Sequence, residues 1–318
     1  MSTKMTNDKA FKRIQHQQNI VKKNRQKERK GIIITLFLLP TLIVFFLIYL
    51  WPLCLSIISS FSKWNGFEPM RFIGFQNYID LFNDSNFGAA MWNTLRWAFL
   101  AAFVHVPFGV IVALVLAKKP RGWRFVRSSF MIPNIISQSG MAILFMFVFK
   151  PDAGILNSIF RIFGNKDFSI NWLYDPKYAF ISITNIWLWF AAVITLITLA
   201  ELLSISSEIH EAARIDGANN FQIDIFINIP LLKRIIGTGV IIAVTSVFKM
   251  FDIIFMTTNG GPGNSTINLA VMSVNSIITQ NKYGYANAIG MIMLLMGVGV
   301  MSVVSYAFKM SKSTEGAN

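Results

Sequence analysis

Cysteine is almost absent. Cys54 is the one thiol in 318 residues, so no disulfide can close within the chain and no thiolate cluster can hold a metal. Histidine is nearly as scarce: His16, His105 and His210 stand isolated, outside any metal-ligand spacing. No G-x-x-x-x-G-K-[ST] phosphate loop occurs, and the Gly-rich stretch from Gly260 to Ser265 lacks the lysine such a loop needs. Charged residues make up only 14% of the chain, with 15 acidic against 29 basic. Neither an acidic relay at a membrane midplane nor an internal repeat is visible, which argues against an ion-coupled secondary carrier. These absences turn the reading away from metal, nucleotide and disulfide chemistry, and from catalysis in this polypeptide.

What the chain has in abundance is apolar sequence, 54% of all residues, with a mean hydropathy of +0.52. That composition fits an integral membrane protein better than a soluble domain. A spanning helix needs roughly 20 apolar residues, and six runs qualify: 32 to 53, 91 to 117, 128 to 150, 179 to 202, 235 to 257 and 285 to 308. In hydrocarbon each backbone polar group must pair within its own segment, so runs of this length are helices and not strands. The expected fold class is all-α, an integral membrane protein of six transmembrane helices.

The formal net charge of +14 invites a nucleic-acid reading, but its distribution does not support one. Lys4, Lys9, Lys12, Arg13, Lys22, Lys23, Arg25, Lys27, Arg29 and Lys30 all precede the first run, with only Phe11 among them as an aromatic. The positive-inside rule places that tail in the cytoplasm, beside anionic lipid headgroups. Alternation then puts Lys118, Lys119, Arg121, Arg124 and Arg127 inside, as well as Lys309 and Lys312, so both termini are expected to be cytoplasmic. The first run is longer than a signal-peptide core and no small-x-small site follows it, so it is expected to stay. The organisation expected is a basic tail at 1–30, one six-span domain at 31–309 with a cytoplasmic loop at 203–234, and a short tail at 310–318.

That loop carries Glu211-Ala212-Ala213-Arg214-Ile215-Asp216-Gly217-Ala218 and closes at Ile227-Asn228-Ile229-Pro230. A short helix through Ile209 to Asp216 can end at Gly217, which adopts positive φ without penalty. Small alanines keep such a helix slim, its charges face outward, and Pro230 can restart a helix toward the membrane. The Glu-Ala-Ala, the Gly four positions after the second Ala, the Ile ten further on and the final Pro resemble the signature loop of permease subunits of binding-protein-dependent ABC importers. Phe72-Ile73-Gly74-Phe75-Gln76-Asn77-Tyr78, Asn93-Thr94-Leu95, Gly260-Gly261-Pro262 with Ser265-Thr266, and Tyr283-Gly284-Tyr285-Ala286 are similar to the maltose-type carbohydrate branch. The likeness runs over about residues 31 to 309. Ile229 stands where the pattern has Leu, an exchange of equal size.

The resemblance implies the type I importer permease fold in a bacterial plasma membrane. It also implies one half of a translocation pore for a sugar, a di- or oligosaccharide. Glu211, Ala212, Ala213, Arg214, Asp216, Gly217, Ile227 and Pro230 become the candidate coupling residues, docking into a cytoplasmic ATPase. The partners implied are a second homologous permease in a heterodimer, a dimer of ATP-binding-cassette subunits and an extracellular sugar-binding protein. ATP and Mg are used by the ATPase, and no cofactor is expected on this chain. Glycerol phosphate or another polar solute is the alternative cargo, and a non-transporting membrane assembly partner the alternative role.

A sugar path should combine amides and hydroxyls with aromatic platforms. Asn134, Ser137, Gln138 and Ser139 supply polar groups in the third run, and Asn185, Trp187 and Trp189 in the fourth. Tryptophan at interfaces and small polar residues at helix contacts are the plainer readings of the same positions. Lys249 and Asp252 lie three apart on the fifth run, on one face and towards its outer end, where the two readings are a pair with each other and snorkelling to the interface. Arg96 reads as an interface anchor, and His105, two before Pro107, as a satisfied packing residue.

Overall fold

The structure, a computed structural model, describes residues 35–163 and 166–309. The expectations for the tails at 1–30 and 310–318 lie outside the described residues. The chain divides into two units, Met1–Ile58 and Ser59–Asn318. Helix α1 (Thr35–Ser60) runs through the end of the first unit, and every described residue from Thr35 to Leu55 is exposed. An apolar helix bare on all sides is what lipid or a membrane partner covers.

A two-residue hairpin follows, β1 (Ser62–Lys63) antiparallel to β2 (Arg71–Phe72), with Ser62 opposite Phe72. Then come α2 (Gln76–Phe82), α3 (Ser85–Ala117), α4 (Trp123–Ile135) and α5 (Gln138–Val148). Helix α6 (Ile155–Ile162) leads to α7 (Ala179–Ser204), and α8 (Ser207–Ile215) to α9 (Asn220–Ile223). The last elements are α10 (Lys233–Thr257), α11 (Leu269–Ile278) and α12 (Tyr283–Ala307). Helices α1, α3, α7, α10 and α12 are each long and apolar enough to cross a membrane, and the bent pair α4 and α5 brings the number to six if it crosses as one span.

Three expectations need correcting. The third span, expected unbroken at 128 to 150, bends by 106° between α4 and α5. Pro133 removes a backbone donor near the end of α4, Ile136 turns extended at ψ 138°, and Ser137 starts a new helix by accepting from Gly140 N–H at 3.1 Å. The fifth span is also interrupted, between Phe248 and Asp252. The freed carbonyl of Met250 accepts from the Asn268 side-chain amide at 2.6 Å. The third correction concerns the expected cytoplasmic loop, 203–234, which is largely helical, holding α9 as well as α8. The stretches between spans hold α2, α6 and α11, whereas Thr258 to Thr266 is irregular, as its Gly, Pro and Asn content requires.

Prolines shape the spans in a regular way. Pro52, Pro107 and Pro230 each follow a π turn, respectively Phe46–Leu50, Ala101–His105 and Asp224–Asn228. A proline inside a helix forfeits a hydrogen bond and presses on the carbonyl four residues back, at a cost of about 3 kcal/mol. In each case the residue just before the proline donates five residues back, Trp51 to Phe46, Val106 to Ala101 and Ile229 to Asp224. The widened turn gives the ring room without ending the helix.

The core of the second unit forms where α3, α5, α7 and α10 meet, around Trp97, Val110, Ile183, Ile194 and Val247. Gly109 lets α3 and α7 approach closely, since a Cβ there would lie 2.9 Å from Ile194 Cβ. Thr195 Oγ1 uses the approach to donate to Gly109 C=O at 3.0 Å. Trp97 Nε1 donates to Thr184 Oγ1 at 2.9 Å and its ring stacks on Phe180, joining the same two helices again.

Candidate functional site

One end of the second unit is fastened by the motif residues of the hairpin and the later loops. Asn77 donates to the carbonyls of Ser60 and Ser62 at 2.8 and 2.9 Å. Asn93 donates to the carbonyls of Asn264 and Ile267, and Leu269 N–H to Thr94 Oγ1 at 3.1 Å. Tyr285 O–H donates to Asp84 at 2.9 Å, and Gly284 N–H to Trp64 C=O at 3.2 Å. These residues knit a cap, with Asn77, Asn93 and Gly284 buried.

The opposite end carries α8. Ser206 caps it by accepting from Glu208 N–H, and Glu208 and Arg214 sit in the first and last turns, where their charges suit the helix dipole. The helix closes as expected at Gly217, with φ +86°. Gly217 N–H donates to Arg214 C=O and Ala218 N–H to Ala213 C=O, the paired bonds of a Schellman motif. Glu211, Ala212, Arg214, Asp216 and Gly217 are exposed, Ala213 and Ile227 half-buried, and Pro230 exposed. Ile215 is 86% exposed, so the helix shows an apolar tip among its charges. Pro230 stands in the first turn of a short helix, Ile229–Leu231, as expected of a proline that restarts a helix, and the span proper starts at Lys233.

Behind α8 lies a recess of about 240 Å³ bordered by Lys118, Leu202, His210, Arg214, Asp224 and Asn228. A polar chain crosses it. Lys118 Nζ meets Asp224 Oδ2 at 2.5 Å, Asn228 Nδ2 donates to Asp224 Oδ1 at 2.9 Å, and Asn228 Oδ1 faces His210 Nε2 at 2.8 Å. Sequence reasoning left these four unconnected. The Asp224/Asn228 spacing was readable as an i, i+4 pair, but Lys118 comes from 106 residues away.

The solute-path residues scatter. Ser137 and Asn185 are exposed, Gln138 half-buried, and Trp189 is 42% exposed in a turn packed against α4. Asn134 Nδ2 is buried with no hydrogen-bond partner among the described residues. Trp187, by contrast, is 2% exposed and lies 4.2 Å from the His105 ring, where it presents no surface to a solute. His105 is buried as a packing residue, although its Nδ1 has no hydrogen-bond partner among the described residues. The Lys249–Asp252 pair does not form, because Lys249 caps the end of the first half of α10 while Asp252 starts the second. Asp252 instead accepts from Ser139 Oγ at 3.0 Å, tying the break in α10 to the start of α5. Arg96 is exposed, with its guanidinium 3.8 Å from the Phe180 ring centre.

Residues 105–309 match the family model described as the binding-protein-dependent transport system inner membrane component. The chain belongs to that family. It is 32% identical over 285 residues to the probable ABC transporter permease protein YurN of Bacillus subtilis, covering 88% of this chain and 97% of that one. It is 32% identical over 281 residues to the multiple sugar-binding transport system permease protein MsmF of Streptococcus mutans, covering 88% and 95%. The fold is shared with a chain in the crystal structure of a bacterial alginate ABC transporter in complex with alginate pentasaccharide-bound periplasmic protein. That match has a TM-score of 0.77 at 20% identity and covers 90% of this chain and 97% of the other. The permease is therefore a multi-pass membrane component of a transport system and not a catalytic enzyme.

Proposed function

We propose that this permease forms half of the pore of an ATP-driven importer in a bacterial plasma membrane, carrying a di- or oligosaccharide inward. The observation that carries the reading is α8, a slim, solvent-facing helix in the family's signature loop, closed by a Schellman turn and presenting Glu211, Ala212, Arg214 and Ile215 outward. It docks into a separate ATPase, which uses ATP and Mg. A second permease subunit completes the pore, and an extracellular sugar-binding protein delivers cargo at the capped end, as the periplasmic protein in the alginate complex supports.

The sugar assignment is supported by the relative named for multiple sugars and by the broken spans. Breaks in membrane helices gather polar groups where a solute crosses, and here Asn134, Ser137, Gln138, Lys249 and Asp252 lie beside them, with Asn185 and Trp189 on α7. The ammonium of Lys249 has no partner among the described residues, which favours a second reading within the same class, a cargo bearing an anionic group such as glycerol phosphate. Uptake by cells lacking only this chain, across mono- and oligosaccharides, glycerol phosphate and amino acids, decides between them. Loss confined to one saccharide class is expected; unchanged uptake of every saccharide overturns the sugar reading.

A further inference from the structure

Helix α8 has no buried residue, so no apolar face presses it into the body of the permease. Its covalent link, through Ile205 and Ser206, leads to α7. A second, non-covalent connection runs to α3 along the polar chain behind it. Asp224 is 13% exposed and Lys118 46%, and theirs is the one ion pair among the described residues. Asn228, 5% exposed, gives its amide hydrogens to Asp224, leaving its oxygen only able to accept. His210 Nε2 must therefore carry the proton shared with Asn228. Every member then has a complementary partner, and the chain runs unbroken from the residue after α3 to the middle of α8.

We propose that Lys118, Asp224, Asn228 and His210 form a positioning relay that transfers displacement of α8 to α3, the helix packed most intimately on α7. The inference rests on α8 being the ATPase-docking helix. A polar relay suits such a joint because it is directional and short. Its sheltered member is Asp224, 13% exposed, and removing Lys118 would leave that carboxylate without its counter-charge. Apolar contacts alone would let α8 slide. Asp224 accepts from both sides, so a shift of Asn228 with α8 is felt at Lys118.

The test uses the complete transporter reconstituted in liposomes with its binding protein. The probe is the radiolabelled saccharide that the deletion strain fails to take up. The readout is saccharide moved per ATP hydrolysed, which a role confined to folding would not change. Asp224→Asn is expected to keep hydrolysis and lower that ratio by at least about threefold, in line with coupling energies along such networks. The charge swap Lys118→Asp with Asp224→Lys should recover most of it. Should Asp224→Asn fail to assemble, Lys118→Met, at the more exposed end, gives the same comparison. A ratio equal to that of the unaltered transporter, or a swap no better than the single variants, sinks the relay. Ala212→Trp separates the two readings: co-purification of the ATPase should fall, and if it does not, the docking role of α8 fails first. Lost co-purification in Ala212→Trp with an unchanged ratio in Asp224→Asn removes the relay alone.

Discussion

Two glycines show how different the demands on one residue type can be. Gly217 sits at φ +86° with nothing within 4 Å of where a Cβ would stand. Substitution there is opposed by backbone conformation and not by crowding, so the cost for a branched side chain is about 1–2 kcal/mol and smaller for Asn, which tolerates this region. Uptake at equal membrane abundance should fall in the order Gly, Asn, Val, and a Val variant as active as the unaltered chain would remove the need for the tight closure of α8. Gly284 is the opposite case: a Cβ would collide with the Ser62 carbonyl and lie 3.0 Å from that of Ser59. Gly284→Ala should destabilise the cap by about 1–3 kcal/mol, the usual penalty for overpacking, seen as a lowered thermal midpoint in detergent, whereas Gly217→Ala, opposed by backbone conformation alone, should cost about 1 kcal/mol. From the bare sequence both were glycines in recognisable motifs. Only Gly217 had a readable reason, because the obstacle at Gly284 comes from Ser59 and Ser62, more than two hundred positions away in the chain.

At the scale of elements, long apolar runs were the most legible feature and their interruptions the least. Span ends moved by a few residues, since α3 begins at Ser85 and α1 extends to Ser60, where polar residues continue a helix that hydropathy alone would stop. The break after Ile135 had a local signal in Pro133 and Ser137 that apolar counting overrode. The break between Phe248 and Asp252 had none: it depends on Asn268 accepting its place under the Met250 carbonyl while its Oδ1 caps α11 through Val271 N–H. The Lys249–Asp252 pair failed for the same reason, because residues three apart share a face only on a continuous helix. With Asp252 turned toward Ser139, an intramembrane acid costing about 2.5–3.5 kcal/mol if left alone near the bilayer centre has a partner on another span. A double-mutant cycle of Ser139→Ala and Asp252→Ala, followed by unfolding in detergent, should give a coupling of about 0.6–1.7 kcal/mol, the range for interhelical bonds in membranes. Independent effects of the two changes would mean that the break between α4 and α5 and the break in α10 are not held together by this bond.

For the whole molecule the proposed function requires one direction, because it assigns coupling to the α8 end and delivery to the capped end. The hydrogen bonds place the hairpin, α2 and α11 around the starts of α3 and α12, and the salt bridge places the α8 loop beside the end of α3. The span count therefore fixes that these ends lie on opposite sides, while the charge pattern alone assigns which is cytoplasmic. The chain offers a clean test because Cys54 is its one thiol. In a Cys54→Ser background, single cysteines at Phe67, 86% exposed, and Ile162, 80% exposed, should react with a membrane-impermeant maleimide on intact spheroplasts. Cysteines at Arg121 and at Phe221, 70% exposed, should react only after permeabilisation. The reverse pattern would put α8 outside, away from ATP, and would overturn the coupling role together with the relay behind it. Labelling of all four from outside would show that α3 does not separate the two ends, which its length and hydropathy require.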